Sequence, residues 1–325
     1  MANDFYTTLT ELKSLIQQDL DEMEHLILYQ DNKNITLITE IIQHLIKSGG
    51  KRIRPIIFFI ICKMLNYNKN DKVYIAAAIE FIHNATLLHD DVIDESELRR
   101  GEKTSNFLWG NKASILVGDF LLAVSFQWLI QCKNLTILSI LSKTSNTIII
   151  GEVEQMVASY NINISQEKYI DIISAKTASL FEATCESAAN LAEVNNEKIH
   201  ALKQFGYNLG ISFQILDDIL DYTASETQFG KKLGNDLLTG KITLPIIIAY
   251  QNANHKEKNF WTQLSTNPDI NKAMFYIKSH SAIEQALNIA STYIDKAKSS
   301  LNIFANSDYK QILDKLLNSI LYRNF

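Results

Sequence analysis

The sequence predicts an all-α protein, and its composition carries this prediction. It has 11 glycines and 3 prolines in 325 residues, well below the averages of roughly 7% and 5%. Its residues are 46% hydrophobic and 21% charged, which is enough to bury a sizeable core. A chain that is poor in turn-forming residues makes few turns, so we expect long helices. Since no repeat or linker divides the sequence, we predict one all-α domain over residues 1–325.

Apolar residues recur at three- and four-residue spacing along most of the chain, which is the pattern of amphipathic helices. Gly49 and Gly50 end the early helices, and Pro55 suits the first turn of the next one. The β-branched run Thr147–Ile150 lies within helical periodicity, so we interpret it as helix. The predicted helices are Thr8–Tyr29, Thr36–Lys47, Asp71–Ile93, Lys112–Lys133, Leu135–Tyr160, Ser165–Leu191, Asn196–Thr223 and Leu244–Gln251, with shorter ones after Asn252. The predicted breaks are Asp31–Asn34, Arg99–Gly101 and Thr227–Gly240, of which the last is the longest loop.

Charge and cysteine usage exclude several classes of protein. The formal net charge of −5 shows no bias toward nucleic acid or anionic membranes, so an anionic substrate would need a local basic cluster or metal ions. Cys62, Cys132 and Cys185 lie far apart in apolar surroundings, which is typical of reduced thiols. The first residues lack a basic region followed by an apolar one, and the longest apolar runs are far shorter than the ~20 residues of a membrane span. We therefore expect a soluble, cytoplasmic protein.

Two acidic clusters of the same form carry the strongest chemical signal. Asp90–Asp94 is a DDxxD at the end of an apolar helix, and Asp217–Asp221 is a second one. Positions i and i+4 share a helix face, so each cluster projects two carboxylates in one direction, where they repel unless a cation lies between them. Oxygen ligands suit Mg²⁺, which is commonly shared with substrate phosphates. A single copy is more often a solvated helix end, but two copies favour a metal-bound diphosphate with an apolar tail.

Basic residues occur where a second anionic group could bind. The stretch Gly49–Pro55 offers three cations beside a Gly-Gly turn and a helix start, although alone it is equally typical of a solvated loop. His83 lies two turns before Asp90 on the same face, and a lone histidine there is more often a satisfied core residue. The other polar residues that could complete the site are Arg99, Arg100, Lys176, Thr177, Gln214, Lys231 and Lys241.

These motifs together resemble the trans-polyprenyl diphosphate synthases. The stretch Phe81–Gly101 is similar to the first aspartate-rich motif of that family, and GGKRIRP, FQILDDILDY and GKKLGNDLLTGKITLP are similar to its other signatures in the same order. The resemblance runs from about Gly49 to Pro245. It implies the isoprenoid synthase fold, a bundle of long helices around a central active-site cavity. It also implies the addition of isopentenyl diphosphate units to an allylic diphosphate.

The resemblance assigns roles residue by residue. It implies that Mg²⁺, as three ions when diphosphate is bound, is held by Asp90, Asp94 and Asp217, with Asp91, Asp218 and Asp221 in support. It implies that the diphosphate of isopentenyl diphosphate is bound by Lys51, Arg54, His83 and Arg100, and the allylic diphosphate by Arg99. Residues matching those that line the reacting allylic centre and its leaving group are Lys176, Thr177, Gln214 and Lys231, and Lys241 matches a further signature lysine. In one departure, Leu238 and Thr239 stand where the family usually has an acid.

In short-chain members of this family, bulky aromatic residues four or five positions before the first aspartate block the shaft that receives the growing chain. Here these positions hold Thr86 and Ala85, and small residues leave the shaft open. We expect a product longer than farnesyl diphosphate, with an octaprenyl chain for a quinone favoured. Phe126 or Trp128 could form the floor of the shaft, or each could be ordinary core packing.

Other functions remain open from the sequence. A geranylgeranyl or farnesyl diphosphate synthase is the nearest enzyme alternative, and a non-catalytic regulatory subunit of a heteromeric synthase is the alternative from another class. The full second DDxxD argues against a terpene cyclase. The resemblance further implies a homodimer. The net charge and the short apolar runs predict no nucleic acid partner and no stable membrane insertion.

Overall fold

The computed structural model describes residues 3–29, 35–223, 234–263 and 269–321, and these residues are almost entirely helical. The helices are α1 Asn3–Leu15, α2 Gln17–Leu28, α3 Thr36–Lys47, α4 Ile53–Met64, α5 Asp71–Ile93, α6 Ser105–Trp109, α7 Asn111–Gln131, α8 Leu135–Ala158, α9 Gln166–Ile173, α10 Ser179–Leu191, α11 Asn196–Thr223, α12 Asn235–Leu238, α13 Leu244–Asn252, α14 His255–Thr262, α15 Ile270–Ser279, α16 Ala282–Ser300 and α17 Asp308–Leu321. A π-helical turn, Ser174–Ala178, joins α9 to α10, and a 3₁₀ turn, Leu301–Ile303, follows α16. Strands β1 Leu98–Arg99 and β2 Glu102–Lys103 form an antiparallel hairpin.

The bundle is organised around two helices that are apolar on nearly all sides. In α4, residues 55–62 are all buried, and α5 is buried along most of its length. A helix that is hydrophobic all round usually lies in the protein interior, and α4 and α5 both lie there. Helix α5 packs against α2, α4 and α7, while α10 packs on α4, α8 and α11. The arrangement places the carboxyl-terminal ends of α5 and α11 at one cavity.

Most of the predicted helices are confirmed, with differences at their ends and interruptions. Thr147–Ile150 lies inside α8. The helix predicted over Thr8–Tyr29 is two helices that meet at Ile16, and Ser165–Leu191 is interrupted by the π-helical turn. The loop predicted after α5 is the β1–β2 hairpin. Asp31–Asn34 and the first part of Thr227–Gly240 lie outside the described residues.

Helices α7 and α8 combine buried and exposed apolar residues. Among the described helices, α7 is the one with the length and composition of a membrane span, and 44% of that apolar window is buried in the bundle. Helix α8, which contacts α7, also has exposed apolar residues, and we call the exposed apolar residues of the two helices the α7–α8 face. Its exposed members are Ile115, Leu116, Ile130, Leu135, Ile149, Ile150, Val153, Met156 and Val157.

Candidate active site

A cavity of about 910 Å³ is lined by residues of α5, α8 and α11 and by an acidic and a basic group of residues, which we call its acidic end and its basic end. This volume is at the upper end of the range of ligand sites. The acidic end contains residues of both DDxxD clusters, and the basic end contains residues of the Gly49–Pro55 stretch. The predicted site residues on its wall are Lys51, Arg54, His83, Thr86, Asp90, Asp94, Arg99, Arg100, Lys176, Thr177, Gln214, Asp217, Asp218, Asp221 and Lys241. Lys231 lies outside the described residues.

Asp91 differs from its neighbours in the first acidic cluster. It is buried, and both of its carboxylate oxygens accept hydrogen bonds from Arg99 Nε, at 2.8 and 3.0 Å. Arg99 Nη2 lies 2.8 Å from the same carboxylate. This bidentate pair fixes the guanidinium of Arg99 at the cavity wall. The geometry therefore favours Asp91 as the residue that orients Arg99, while Asp90 and Asp94 face the cavity.

Asp218, in the second acidic cluster, likewise orients other residues of the cavity through hydrogen bonds. Tyr169 donates to Asp218 Oδ2 at 2.6 Å, and Gln214 Nε2 donates to Oδ1 at 2.7 Å. The hydroxyl of Thr177 donates to Gln214 Oε1 at 2.7 Å. This chain fixes which way the Gln214 amide points. Burial, with the nearby charge of Asp236, raises the pKa of Asp218 to about 8.

Two lysines reach the carboxylates of the first cluster from other elements. Lys241 Nζ donates to Asp94 at 2.5 Å. Burial opposes the charged form of Lys241, but the charges of Asp94 and Asp236 raise its pKa above the ordinary value. Lys176 Nζ donates to Glu152 and Gln155 at 2.7 and 2.8 Å and lies 3.7 Å from Asp90. Both lysines therefore lie at the acidic end of the cavity, where they could bind an anionic ligand.

The π-helical turn contains two of the predicted site residues. Lys176 and Thr177 both belong to this turn and both line the cavity. In a regular α-helix neighbouring residues point about 100° apart, and the wider turn changes their directions. Gly151 of α8 packs directly on this turn, because a Cβ atom there would lie 2.8 Å from Lys176 N. Close packing on a glycine thus holds the turn in place.

The basic end is crowded with cations. Arg52 Nη1 forms a buried ion pair with Glu80 Oε1 at 2.8 Å. Arg54 lies over the ring of Phe181, with its guanidinium carbon 4.3 Å from the ring centroid, and burial lowers its pKa to about 10. Burial, together with the charges of Arg54 and Arg100, holds the pKa of His83 well below its ordinary value. His83 is therefore a neutral imidazole at pH 7.

The segment between α11 and α13 is attached to the second acidic cluster. Asp221 accepts hydrogen bonds from the backbone N–H of Gly234, at its carbonyl, and of Asp236, at its carboxylate. The hydroxyl of Thr239 donates to the carbonyl of Asp236 at 3.1 Å. At this position, where the trans-polyprenyl diphosphate synthases that the sequence resembles usually have an acid, the Thr239 side chain therefore binds a backbone carbonyl of the preceding helix α12. Lys241 follows directly and reaches Asp94.

Gly240 allows this segment to approach its neighbours, and we expect Gly240→Ala to displace Lys241. Its φ is +79°, and a Cβ atom there would lie 2.5 Å from the ring of Tyr160. Both the left-handed backbone and the contact disfavour a side chain. We expect a loss in kcat/KM of at least about tenfold, since a misplacement of about 1 Å can cost on the order of 10²-fold. Gly110→Ala, at a φ of +84° with open space around it and off the cavity wall, is the matched control; an equal loss there would contradict the explanation by contact.

Several cavity residues were not found from the sequence. Glu80, Glu152, Gln155, Tyr169 and Asp236 all line the cavity. A detectable signal existed for Glu80 and Glu152, because each is an acid within a mostly apolar helix, where burial requires a partner. Tyr169 gave no such signal, since its role depends on its contact with Asp218.

Of the four residues proposed to set product length, Thr86 alone lies on the wall of the cavity. Thr86 lines the cavity, and its hydroxyl donates to the carbonyl of His83 at 2.8 Å. Ala85 is buried. Trp128 is buried against Phe81 with ring centroids 4.7 Å apart, and neither it nor Phe126 is on the wall of this cavity. A floor formed by Phe126 or Trp128 stays a prediction.

The chemistry of the acidic wall fits Mg²⁺. Asp90, Asp94 and Asp217 offer oxygen donors from both sides of the cavity. Among the described residues no three His, Cys, Asp or Glu side chains are close enough to hold a metal by themselves. Mg²⁺ usually binds through one or two carboxylates together with substrate phosphates. The donor set therefore suits a metal that arrives with, or is completed by, a diphosphate.

Comparison with known proteins agrees with the fold and the cavity. The family model described as polyprenyl synthetase matches residues 35–277. Octaprenyl diphosphate synthase of Haemophilus influenzae is 35% identical over 322 residues, 98% of either chain. Octaprenyl diphosphate synthase of Escherichia coli is 43% identical over 241 residues, 74% of this chain and 75% of the relative. The crystal structure of polyprenyl synthase from Caulobacter crescentus, in complex with calcium and isoprenyl diphosphate, has a TM-score of 0.93 at 36% identity and covers 98% of both chains.

The helical bundle, with its acidic and basic cavity ends, is that of the all-α isoprenoid synthases, and the activity is that of a trans-prenyltransferase. The chain belongs to the polyprenyl synthetase family, and its relatives place it among the long-chain members.

Proposed function

We propose that this protein condenses isopentenyl diphosphate with an allylic diphosphate such as farnesyl diphosphate and makes octaprenyl diphosphate for a quinone side chain. The observation that carries this is the placement of both aspartate-rich clusters and the basic residues around one cavity. Two anionic substrates need two anion-binding regions, and the cavity has one at each end. Both octaprenyl relatives support the product length.

The residues at the basic end would bind isopentenyl diphosphate. Lys51, Arg54, His83 and Arg100 are adjacent on the wall. The two arginines carry charge, and neutral His83 offers one N–H donor. Arg99, held by Asp91, would bind the allylic diphosphate, and Lys176 would stabilise the negative charge that develops on it as it leaves.

The acidic end would hold the metal. Asp90 and Asp94 from α5 and Asp217 from α11 are the proposed ligands of Mg²⁺, with three ions in the fully bound site. When bound, Mg²⁺ neutralises the leaving diphosphate and promotes its departure. Lys241 would exchange its contact with Asp94 for one with the diphosphate. Lys231 is proposed, on the resemblance alone, to act at the reacting allylic centre and its leaving group.

The central residues would face the reacting carbon atoms. Gln214 and Thr177 are linked by a hydrogen bond of 2.7 Å, and the chain through Asp218 to Tyr169 fixes them. Their oxygen atoms would stabilise an allylic cation through electrostatic preorganisation. The apolar wall, which includes Leu87 and Phe213, would keep water from that cation.

We further infer that the protein is a cytoplasmic homodimer in which each chain acts as one domain. The α7–α8 face supports the homodimer, because many exposed apolar residues on two packed helices are typical of an interaction site. A second copy of the chain can cover it symmetrically. Sedimentation equilibrium at micromolar concentration would test this, and a monomer would contradict it.

The activity is tested by incubating the purified protein with Mg²⁺, labelled isopentenyl diphosphate and farnesyl diphosphate, and by sizing the dephosphorylated products. We expect one discrete product of about forty carbons, and none after chelation of the metal. Geranylgeranyl diphosphate as the end product would indicate the short-chain alternative. A folded protein with no product from any allylic primer would contradict the enzyme and point to a regulatory subunit.

Ala85→Phe tests whether the shaft is open where the sequence predicts it. A phenylalanine side chain at this buried position would narrow the path of the growing chain, since each isoprene unit advances roughly one helical turn of ~5.4 Å. We expect products shortened to about fifteen or twenty carbons at a similar rate of primer use, measured by chromatography. Ala76→Phe, which is also buried on α5 and lies nine residues further from Asp90 than Ala85 does, is the control; equal shortening in both variants would contradict a local block.

A further inference from the structure

Lys176 is held by residues of α8. Its Nζ atom donates hydrogen bonds to Glu152 Oε2 at 2.7 Å and to Gln155 Oε1 at 2.8 Å. Glu152 and Gln155 are three positions apart and therefore lie on one face of α8, and both line the cavity with Lys176. Gly151 packs on the backbone of the lysine, because a Cβ atom there would lie 2.8 Å from Lys176 N. Helix α8 thus fixes both the backbone and the ammonium group of Lys176.

A second carboxylate lies within reach of the same ammonium group. Asp90 Oδ2 is 3.7 Å from Lys176 Nζ, which is about 1 Å longer than a charge-assisted hydrogen bond. The side chains of Lys176 and Glu152 are 21% exposed and that of Asp90 is 13% exposed, so solvent screens the attraction only in part. A lysine side chain is long and flexible, and a small rotation at its end would bring Nζ onto Asp90. Two acids therefore compete for one ammonium group, and Glu152 has the shorter contact.

Lys241 shows the alternative arrangement at the same wall. Its Nζ atom donates directly to the carboxylate of Asp94 at 2.5 Å, and Asp94 is the acid within ion-pair distance of it among the described residues. Lys176 differs, because its short carboxylate contact is with Glu152 and not with Asp90. Of the two proposed metal ligands on α5, one is therefore paired with a lysine, and the other is kept apart from one.

We propose that Glu152 is a positioning residue that holds Lys176 beside Asp90 but off its carboxylate, so that Asp90 remains available to Mg²⁺. This inference rests on the proposed function, in which Asp90 binds the metal and Lys176 stabilises the leaving diphosphate. An ammonium group on Asp90 would occupy a carboxylate oxygen and repel the metal cation. Glu152 prevents this contact, because a carboxylate accepts a stronger hydrogen bond from an ammonium group than an uncharged oxygen does. The role therefore requires the charge of Glu152 and not only its size.

Glu152→Gln tests this requirement, because the amide keeps the size of the side chain and loses its charge. We expect the ammonium group of Lys176 to move to Asp90. The Mg²⁺ concentration for half-maximal activity should then rise about three- to tenfold, as for the weakening of one charge-assisted hydrogen bond. The maximal rate at saturating Mg²⁺ should change less, because the metal and the ammonium group compete for the same carboxylate. The KM for isopentenyl diphosphate should stay unchanged, since its proposed site is at the basic end.

Glu154→Gln is the matched control. Glu154 lies two residues further along α8, forms an ion pair of 2.9 Å with Lys168 and is off the cavity wall. The same chemical change there weakens the same kind of contact, so the Mg²⁺ dependence should stay that of the wild-type protein. An equal rise in the Mg²⁺ requirement of both variants would overturn the proposal, because it would show a general effect of charge on α8.

A double-mutant cycle separates positioning from a general effect on structure. In a Lys176→Met background no ammonium group from this position can reach Asp90. Glu152→Gln should therefore cause no further rise in the Mg²⁺ requirement in that background, because the two residues act through one contact. A rise as large as in the wild-type background would overturn the proposal, since Glu152 would then affect the metal without Lys176.

Calorimetry gives a readout that does not depend on turnover. The probe is farnesyl diphosphate with sulfur in place of the oxygen on carbon 1, and its binding is measured at several Mg²⁺ concentrations. Glu152→Gln should need about three- to tenfold more Mg²⁺ than the wild-type protein for the same affinity, by the same weakening of one hydrogen bond. Binding to the wild-type protein that does not depend on Mg²⁺ would overturn the proposal.

The two measurements distinguish this inference from the proposed function. If the wild-type protein makes product and Glu152→Gln has the same Mg²⁺ dependence in calorimetry, only this inference fails. If the wild-type protein binds the probe with Mg²⁺ but makes no product from any allylic primer, the proposed function fails. In that case a higher Mg²⁺ requirement in Glu152→Gln still supports the positioning role, and an unchanged requirement overturns it.

Discussion

Asp90→Asn is expected to lower kcat/KM by about 10²–10³-fold, as for the loss of a group that stabilises charge in the transition state. Asp90 faces the cavity at the acidic end, and the amide that replaces it keeps the size of the side chain but loses its charge. A metal shared between this wall and a diphosphate would be held more weakly. Steady-state kinetics over a series of Mg²⁺ concentrations measures the effect, and the concentration needed for half-maximal activity should rise.

The same substitution has a readout that does not depend on turnover. Binding of a non-reactive allylic diphosphate analogue should tighten with Mg²⁺ in the wild-type protein, and this tightening should be reduced in Asp90→Asn. Asp295→Asn is the matched control, because Asp295 is an exposed acid on α16 whose contact in the described structure is a lysine three residues away, at 3.8 Å. If Mg²⁺ tightens the binding of the analogue to Asp90→Asn as much as to the wild-type protein, Asp90 is not a ligand of the metal.

Glu80→Ala is expected to have the largest effect on stability, with a loss of about 3–5 kcal/mol in the free energy of unfolding. Glu80 and Arg52 form an ion pair of 2.8 Å with side chains that are only 4% and 7% exposed. Removing the carboxylate leaves the buried guanidinium without its partner, in a region that also contains Arg54 and Arg100. Urea denaturation at constant pH measures the change in midpoint.

An exposed pair in the same protein provides the comparison. Glu11 and Lys315 are 2.6 Å apart, but their side chains are 45% and 41% exposed. Glu11→Ala should cost no more than about 1 kcal/mol, since solvent screens exposed pairs. Equal losses in the two variants would show that burial does not determine the strength of the Glu80–Arg52 pair. A loss below that of Glu11→Ala would contradict its structural importance.

Several functional residues were accessible to sequence reasoning because their chemistry is local. Each DDxxD sets two carboxylates on one helix face by spacing alone, and Asp90, Asp94, Asp217 and Asp221 do line one cavity. The Gly-Gly turn before a basic stretch likewise indicated an anion site, and Lys51 and Arg54 are on the wall. Such patterns need no knowledge of which helices pack together.

Other roles depend on contacts between residues that are distant in the chain. Nothing near Asp91 in the sequence distinguishes it from Asp90, yet Arg99, in strand β1 of the hairpin, donates to the carboxylate of Asp91. Asp218 differs from Asp217 because Tyr169, on another helix, donates to it. Adjacent aspartates that look equivalent in the sequence therefore have different roles, because their hydrogen-bond partners differ.

The sequence by itself determined the helical class, most helix positions and the two charged ends of the site, because helix periodicity and motif spacing are properties of neighbouring residues. Only the tertiary structure decided which wall residues face the cavity, where the π-helical turn places Lys176 and Thr177, and that α1 lies over Lys51. Those features arise from packing between helices far apart in the chain. Packing between distant helices depends on the shape and burial of whole helix faces. A local sequence pattern therefore does not predict which faces pack together.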